Sequence, residues 1–136
     1  MKSSVLIVDD EPMVRRVLTK LLVDSGLPAF EARDASEALN TLRKSGGSIC
    51  VMVTDVRTPG FLDGLELARF AQSSWPWIKV VVMSGFGESA RQDLPPNVRF
   101  VPKPWELGQM LSSILGAEMD FQAAQKAGGS VHSNAR

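Results

Sequence analysis

The chain is poor in cysteine, with one thiol, Cys50, in 136 residues. A lone cysteine cannot close an internal disulfide, and this one sits in an apolar run, where it packs as a small hydrophobe. Neither sign of charge is in surplus. Fifteen lysines and arginines oppose fifteen aspartates and glutamates, so the clustered basic excess of a nucleic-acid-binding surface is missing and direct DNA binding is not expected. No apolar stretch approaches the length that spans a bilayer. The run after Met1-Lys2-Ser3-Ser4 is too short for a signal peptide. The expectation is a cytoplasmic protein with no membrane association. There is no internal repeat, and a single domain is expected, with no second one after residue 119. What is present is ordinary for one globular domain: 44% hydrophobic and 22% charged residues, at a length that supports a real core.

Apolar runs recur at Val5–Val8, Ile49–Thr54, Ile78–Met83 and Val98–Val101, with a weaker one inside Leu27–Arg33. Four to eight apolar residues bounded by turn signals read as strands buried on both faces, as in parallel sheets. Helical patterns lie between them. Val14, Val17, Leu18, Leu21 and Leu22 form a stripe that starts near Pro12 and stops at Gly26. Asp34 and Glu37 have capping-box spacing before Ala35, Ala38, Leu39 and Leu42, and Gly46-Gly47 end that helix. Asp63-Gly64 opens a third helix with Leu65, Ala68 and Ala71, closed by Trp75-Pro76. Between the fourth and fifth strands Glu88–Asp93 allows only a short helix, because Pro95-Pro96 forbids a long one. A last helix carries Leu107, Met110, Leu111, Ile114 and Leu115. From about Met119 the composition turns to Gln, Ala, Gly, Ser and Asn, so residues 1–118 read as the domain and 119–136 as a frayed or disordered tail. Strands alternating with helices five times imply an α/β fold, with a parallel sheet, right-handed crossovers and helices on both faces.

The central strand ends abruptly in Asp55, followed by Val56-Arg57-Thr58-Pro59-Gly60. A parallel sheet presents its chemistry at the carboxyl ends of its strands. Four of the five strands end in polar groups: Asp9 and Asp10, Asp55, Ser84 and Lys103. Taken singly, each has a plain structural reading: a helix-capping pair, a turn acid, a strand-end turn residue and a solvated loop lysine. Together they would converge in one cleft. Two carboxylates about 4 Å apart at an effective dielectric near 20 repel by roughly 4 kcal/mol, and one lysine does not balance three acids. A hard divalent cation with oxygen ligands would, Mg²⁺ (or Mn²⁺) in the cell. An aspartate can act as a nucleophile toward phosphorus, and phosphoryl transfer needs mainly positioning and electrostatic stabilisation. The Lys103 ammonium, stiffly presented between two prolines, and the Ser84 hydroxyl suit that task.

Val5–Glu11, the D-x-x-x-P-G-x-x-D-G pattern from Asp55 to Gly64, Met83-Ser84-Gly85 and Pro102-Lys103-Pro104 resemble the receiver domain of bacterial two-component response regulators. The likeness covers about residues 4 to 118. It implies a flavodoxin-like, doubly wound five-stranded parallel sheet of order 2-1-3-4-5. It also implies that Asp55 takes a phosphoryl group from a sensor histidine kinase or a histidine phosphotransfer protein. By the same resemblance Asp9 and Asp10 are the metal-binding acids, and Asp10 is a direct ligand beside Asp55 and the Arg57 main-chain carbonyl. Ser84 is the hydroxyl that moves toward the phosphoryl group, Lys103 the lysine that contacts it, and Phe100 the aromatic that changes rotamer. Phe100 taken alone reads as core.

The chain departs from the family pattern in places. Thr58 stands where the family usually has Met, and the helix between strands four and five, the family's fourth, must be shortened. Arg57 and Phe86 would flank the path of an attacking water and tune the lifetime of the phosphoryl group. No output domain is expected after residue 119, so the expectation is a single-domain regulator that acts on a downstream protein by contact or passes phosphate along a relay. Self-association into a homodimer stays open. Two rivals stay open: a phosphate-independent interaction module that keeps the fold, and a phosphohydrolase of the haloacid-dehalogenase type, which also gathers Asp, Ser or Thr, Lys and Mg²⁺ at the edge of a parallel sheet. The latter would place its nucleophile in a D-x-D pattern after the first strand, where this chain has Asp9-Asp10-Glu11. A flavodoxin proper would need a phosphate-cradling loop there, and the acidic loop would repel that ligand.

Overall fold

Each apolar run becomes a strand in the computed structural model, which describes residues 3–57, 63–85 and 94–135. The strands are β1 (Ser4–Val8), β2 (Ala29–Ala32), β3 (Ile49–Asp55), β4 (Lys79–Ser84) and β5 (Val98–Pro102). They pair in parallel in the order β2-β1-β3-β4-β5, the expected flavodoxin-like sheet. The helices are α1 (Pro12–Asp24), α2 (Ala35–Ser45), α3 (Gly64–Ser74) and α4 (Leu107–Ala135). None of the described helices is long and apolar enough to cross a membrane.

Because β1 and β3 are covered on both sides, every residue of both strands is buried, and their side chains alternate between two cores. Val5, Ile7, Val51, Val53, Val81, Met83 and Val101 pack with Leu18 and Leu22 of α1 and with Met110 and Ile114 of α4. Leu6, Val8, Met52, Val80 and Val82 pack on the opposite face with Leu39 and Leu42 of α2 and Leu67 and Ala71 of α3.

Local signals set the element ends. After α1 the Leu27 N–H bonds the Leu22 carbonyl at 2.8 Å and the Gly26 N–H bonds the Val23 carbonyl at 3.0 Å. With Gly26 at φ +86°, this is a Schellman closure, in which glycine takes the left-handed position that a side chain disfavours. Asp34 caps α2 by accepting from the Glu37 N–H at 2.9 Å. Glu37 does not complete the expected box; it reaches one residue further back, to the Arg33 N–H at 2.9 Å. The reciprocal box forms at α3 instead, between Asp63 and Glu66.

Three expectations meet a different structure or none. The second strand is only four residues long, Ala29–Ala32. The helix expected to fray near residue 119 continues to Ala135, and Phe121, beyond the expected boundary, is buried in the α1/α4 core with Ala117. The reason is periodicity: Met110, Ile114, Ala117 and Phe121 stand on one helical face. The shortened helix between β4 and β5 falls on residues 86–93, outside the described residues, whereas residues 94–97 are described and non-helical. There the Pro96 carbonyl accepts from the Gln72 side chain at 2.8 Å.

Candidate functional site

Parallel strands of similar register bring the predicted residues to one edge. Val8 aligns with Thr54, Asp55 with Met83, and Ser84 with Pro102. Asp9 therefore follows β1, Asp55 ends β3, Ser84 ends β4 and Lys103 follows β5, all at the carboxyl side of the sheet. Alternation then sorts them. Asp9, Asp55 and Lys103 continue the face of Ile7, Val53 and Val101, the α1/α4 side. Ser84 and Phe100 belong with Val82 on the α2/α3 side, two positions apart on neighbouring strands. Ser84 is buried and Phe100 half-buried against the α2/α3 core.

Asp9 is fully buried. Its N–H bonds the Ala32 carbonyl of β2 at 3.1 Å, and its Oδ1 accepts from the Glu11 N–H at 2.8 Å. Among the described residues, its Oδ2 is buried with no hydrogen-bond partner. Burial is the main reason its pKa rises from the ordinary 3.8 to about 6; the Asp55 and Asp10 charges push the same way, while the Glu11 N–H and Lys103 oppose them. Asp10 and Glu11 are exposed, and Glu11, the residue at the start of α1, makes no side-chain cap. A capping role thus accounts for at most one oxygen of Asp9.

Asp55 is held from two sides. Its Oδ1 accepts from the Arg57 N–H at 3.0 Å, and its Oδ2 is in a short ion pair with the Lys103 ammonium. Burial alone would lower the Lys103 pKa, but the hydrogen bond and charge of Asp55, with Asp9 and Glu11 beyond, outweigh it and raise the pKa above the ordinary 10.5. Lys103 is placed by its own main chain, whose N–H bonds the Ser84 carbonyl at 2.8 Å. The Asp55 peptide is pinned by α3. Gly64 donates its N–H to the Val56 carbonyl at 2.7 Å, and a Cβ on Gly64 would fall 1.8 Å from the Asp55 carbonyl oxygen. That glycine is required by close backbone approach, which explains the D-G pair at the helix start.

The arrangement fits a divalent cation. Asp9, Asp10 and Glu11 each offer a carboxylate oxygen within 4.8 Å of the others, and an oxygen buried without a partner is costly unless something cationic meets it. Glu11 is a donor that sequence reasoning did not single out, and Asp55, expected among the ligands, is not in that set. Sequence reasoning also missed Arg15. Its Nη1 donates to the Asp9 carbonyl at 2.8 Å and its Nε to Glu31 Oε1 of β2 at 3.3 Å. Helical stripes mark apolar residues, so an arginine that folds back to a loop carbonyl leaves no local signal. Phe86 and Thr58 lie outside the described residues.

Known proteins share this design. The sensor kinase CckA of Brucella abortus (strain 2308) is 34% identical over 115 residues, covering 82% of this chain and 12% of that protein. The response regulator receiver protein CpdR of the same organism is 28% identical over 113 residues, covering 81% of this chain and 92% of that protein. NtrX from Brucella abortus superposes with a TM-score of 0.83 at 26% identity, covering 95% of this chain and 29% of that one. A response regulator receiver protein from Sinorhizobium medicae WSM419 gives 0.79 at 25% identity, covering 88% and 97%. The chain spans 12% to 26% of the length of the kinase and of the NtrC transcriptional regulators it matches. The match to the response regulator receiver domain runs over residues 5–115, from β1 into α4, and on it the chain belongs to that family, as a phospho-accepting receiver of two-component signalling.

Proposed function

We propose that Asp55 is the acceptor and that it takes its phosphoryl group, in a Mg²⁺-dependent step, from a phosphohistidine on a sensor histidine kinase or a histidine phosphotransfer protein. The observation that carries this reading is the unpartnered, buried Asp9 Oδ2 at the same sheet edge as the Asp55–Lys103 pair. In the transfer a carboxylate oxygen of Asp55 forms the new bond to phosphorus as the N–P bond to the imidazole breaks. The electron pair of that bond stays on the imidazole nitrogen, and a proton carried on the ring's other nitrogen lets the imidazole leave as a neutral ring. Asp9 and Asp10 would hold the cation with Asp55 and the Arg57 main-chain carbonyl, and Glu11 is close enough to assist. When bound, the cation supplies positive charge to the phosphoryl oxygens. Lys103 moves from its pairing with Asp55 to a phosphoryl oxygen as a point charge.

Phosphorylation adds about −1.5 to −2 charges and three acceptor oxygens. Ser84 would turn toward one of them, and Phe100, on the same face two positions away, would fill the space it leaves. That repacking changes the surface a downstream protein reads. Arg57 and Phe86 would tune how long the acyl phosphate lasts. The chain's chemistry on this reading is its own phosphorylation and dephosphorylation.

Intact mass after incubation with acetyl phosphate and Mg²⁺ tests this directly. Wild type gains one phosphoryl group; Asp55→Asn gains none, and neither does wild type in EDTA. No adduct on wild type would turn the reading toward a phosphate-independent interaction module. Sustained hydrolysis of small phosphate esters would turn it toward a phosphohydrolase.

A further inference from the structure

We infer that Arg15 is a positioning residue for the acid pair, aimed by Glu31 of β2, which Thr19 of the same helix holds in turn. This inference rests on the reading of Asp9 and Asp10 as cation ligands. Arg15 is on the first turns of α1, with its side chain only 17% exposed. Nη1 donates to the Asp9 main-chain carbonyl at 2.8 Å, while Nε pairs with Glu31 Oε1 at 3.3 Å. The other oxygen of Glu31 accepts from Thr19 Oγ1, one helical turn after Arg15, at 2.8 Å. Both oxygens of Glu31 are thus engaged by α1, and the planar guanidinium has its orientation fixed at one edge while another edge meets the carbonyl.

The contact matters because of which peptide it holds. The Asp9 carbonyl belongs to the peptide that joins Asp9 to Asp10, so its orientation sets where both carboxylates project. The Asp9 N–H is fixed on Ala32 of β2 and its Oδ1 on the Glu11 N–H. Arg15 supplies the remaining fixed point. The guanidinium bonds a carbonyl and not a carboxylate, so it orients the acids without consuming a ligand oxygen. Groups one layer behind metal ligands typically change metal affinity by about 10- to 100-fold when removed. Arg15 acts through the main chain, so the low end of that range applies.

The test uses the full chain and two readouts: Mg²⁺ titration followed by tryptophan fluorescence in a Trp75→Phe, Trp77→Phe background that leaves Trp105 alone, and the rate of acetyl phosphate labelling by intact mass. Trp105 lines the hollow formed with Glu11, Val14 and Lys103, so it reports on the site. Arg15→Met keeps the apolar stem and removes the donors. The expected result is a roughly 10-fold higher Mg²⁺ half-saturation, with the labelling rate at saturating Mg²⁺ within about threefold of wild type, since Asp55 and Lys103 are untouched. Arg15→Lys should recover part of the affinity. Glu31→Gln, at the edge strand, should shift the half-saturation in the same direction by a smaller factor, and it serves where Arg15→Met does not fold. Unchanged half-saturation in Arg15→Met, or in Glu31→Gln where it is the only folded variant, overturns the positioning role. A lowered melting temperature without an affinity change would show Arg15 to be merely structural and overturns it equally. If wild type itself shows neither Mg²⁺ response nor labelling, the underlying reading fails instead.

Discussion

Replacing Asp9 by asparagine is expected to stabilise the metal-free protein, although it removes a buried residue's native side chain. The Asp9 carboxylate is fully buried with one oxygen unpartnered, and burial raises its pKa from 3.8 to about 6. A carboxyl group protonated more readily in the folded state favours folding at low pH. As pH rises from 4 to 6 the unfolded chain ionises first, and stability is lost progressively across that window. Above about pH 6 the loss is complete, at about 3 kcal/mol for a shift of this size. Asparagine keeps the acceptor for the Glu11 N–H and carries no charge, but its buried amide gives back about 1 kcal/mol. The net gain at pH 7.5 is then about 2 kcal/mol, roughly 5 °C or more in melting temperature for a domain of this size. Thermal melts by circular dichroism in EDTA should show the variant above wild type at pH 7.5, with the gap shrinking as pH falls from 6 to 4. With Mg²⁺ at 100 times its dissociation constant wild type gains about 2.7 kcal/mol by binding while the variant gains little, so the order closes or reverses. A variant no more stable than wild type in EDTA at pH 7.5, or a gap that ignores pH, would refute the reasoning.

Three further perturbations probe other parts of the structure. Gly64→Ala places a methyl 1.8 Å from the Asp55 carbonyl oxygen, so α3 must move; a loss of about 3 kcal/mol or more and failure of acetyl phosphate labelling are expected in melts and mass spectra. Phe121→Ala should lower stability by about 3 kcal/mol in chemical denaturation, whereas Met119→Ala, at an exposed position, should stay within about 0.5 kcal/mol of wild type. Equal effects would deny α4 its place in the core beyond residue 118. Lys103→Met removes a cation next to the acids, so it should tighten Mg²⁺ binding a few-fold while slowing labelling of Asp55; weaker Mg²⁺ binding would contradict the electrostatic picture of the site.

The order and type of the elements were legible because the strands are uninterrupted apolar runs and the helices carry clear stripes. The same uniformity hid which side each residue faces: with β1 and β3 buried on both faces, no polar alternation distinguishes Val53 from Thr54 as neighbours of α4 or α2. That Asp9, Asp55, Ser84 and Lys103 share one edge was legible because, in a parallel sheet, it depends only on where the strands end. The role of Arg15 was not, since it arises from α1 folding back over the β1 terminus and from Glu31 on a strand that shows little pattern of its own. Gly64 was visible as a helix-start signal, yet its reason, contact with the Asp55 carbonyl, is tertiary. In the tail, Gln- and Ala-rich composition masks the periodic Phe121, which continues the face of Met110 and Ile114.

The division of the sheet into an α1/α4 side bearing Asp9, Asp55 and Lys103 and an α2/α3 side bearing Ser84 and Phe100 also constrains how this chain can diverge. Inserting or deleting one residue upstream in β3 would turn Asp55 to the wrong side and exchange two cores at once. Length changes are tolerable where they leave parity intact, in the connections that lead into the strands. Descendants of this sequence can therefore vary the connections that lead into the strands, while the spacing from each strand's start to its carboxyl end stays locked by the pleat itself.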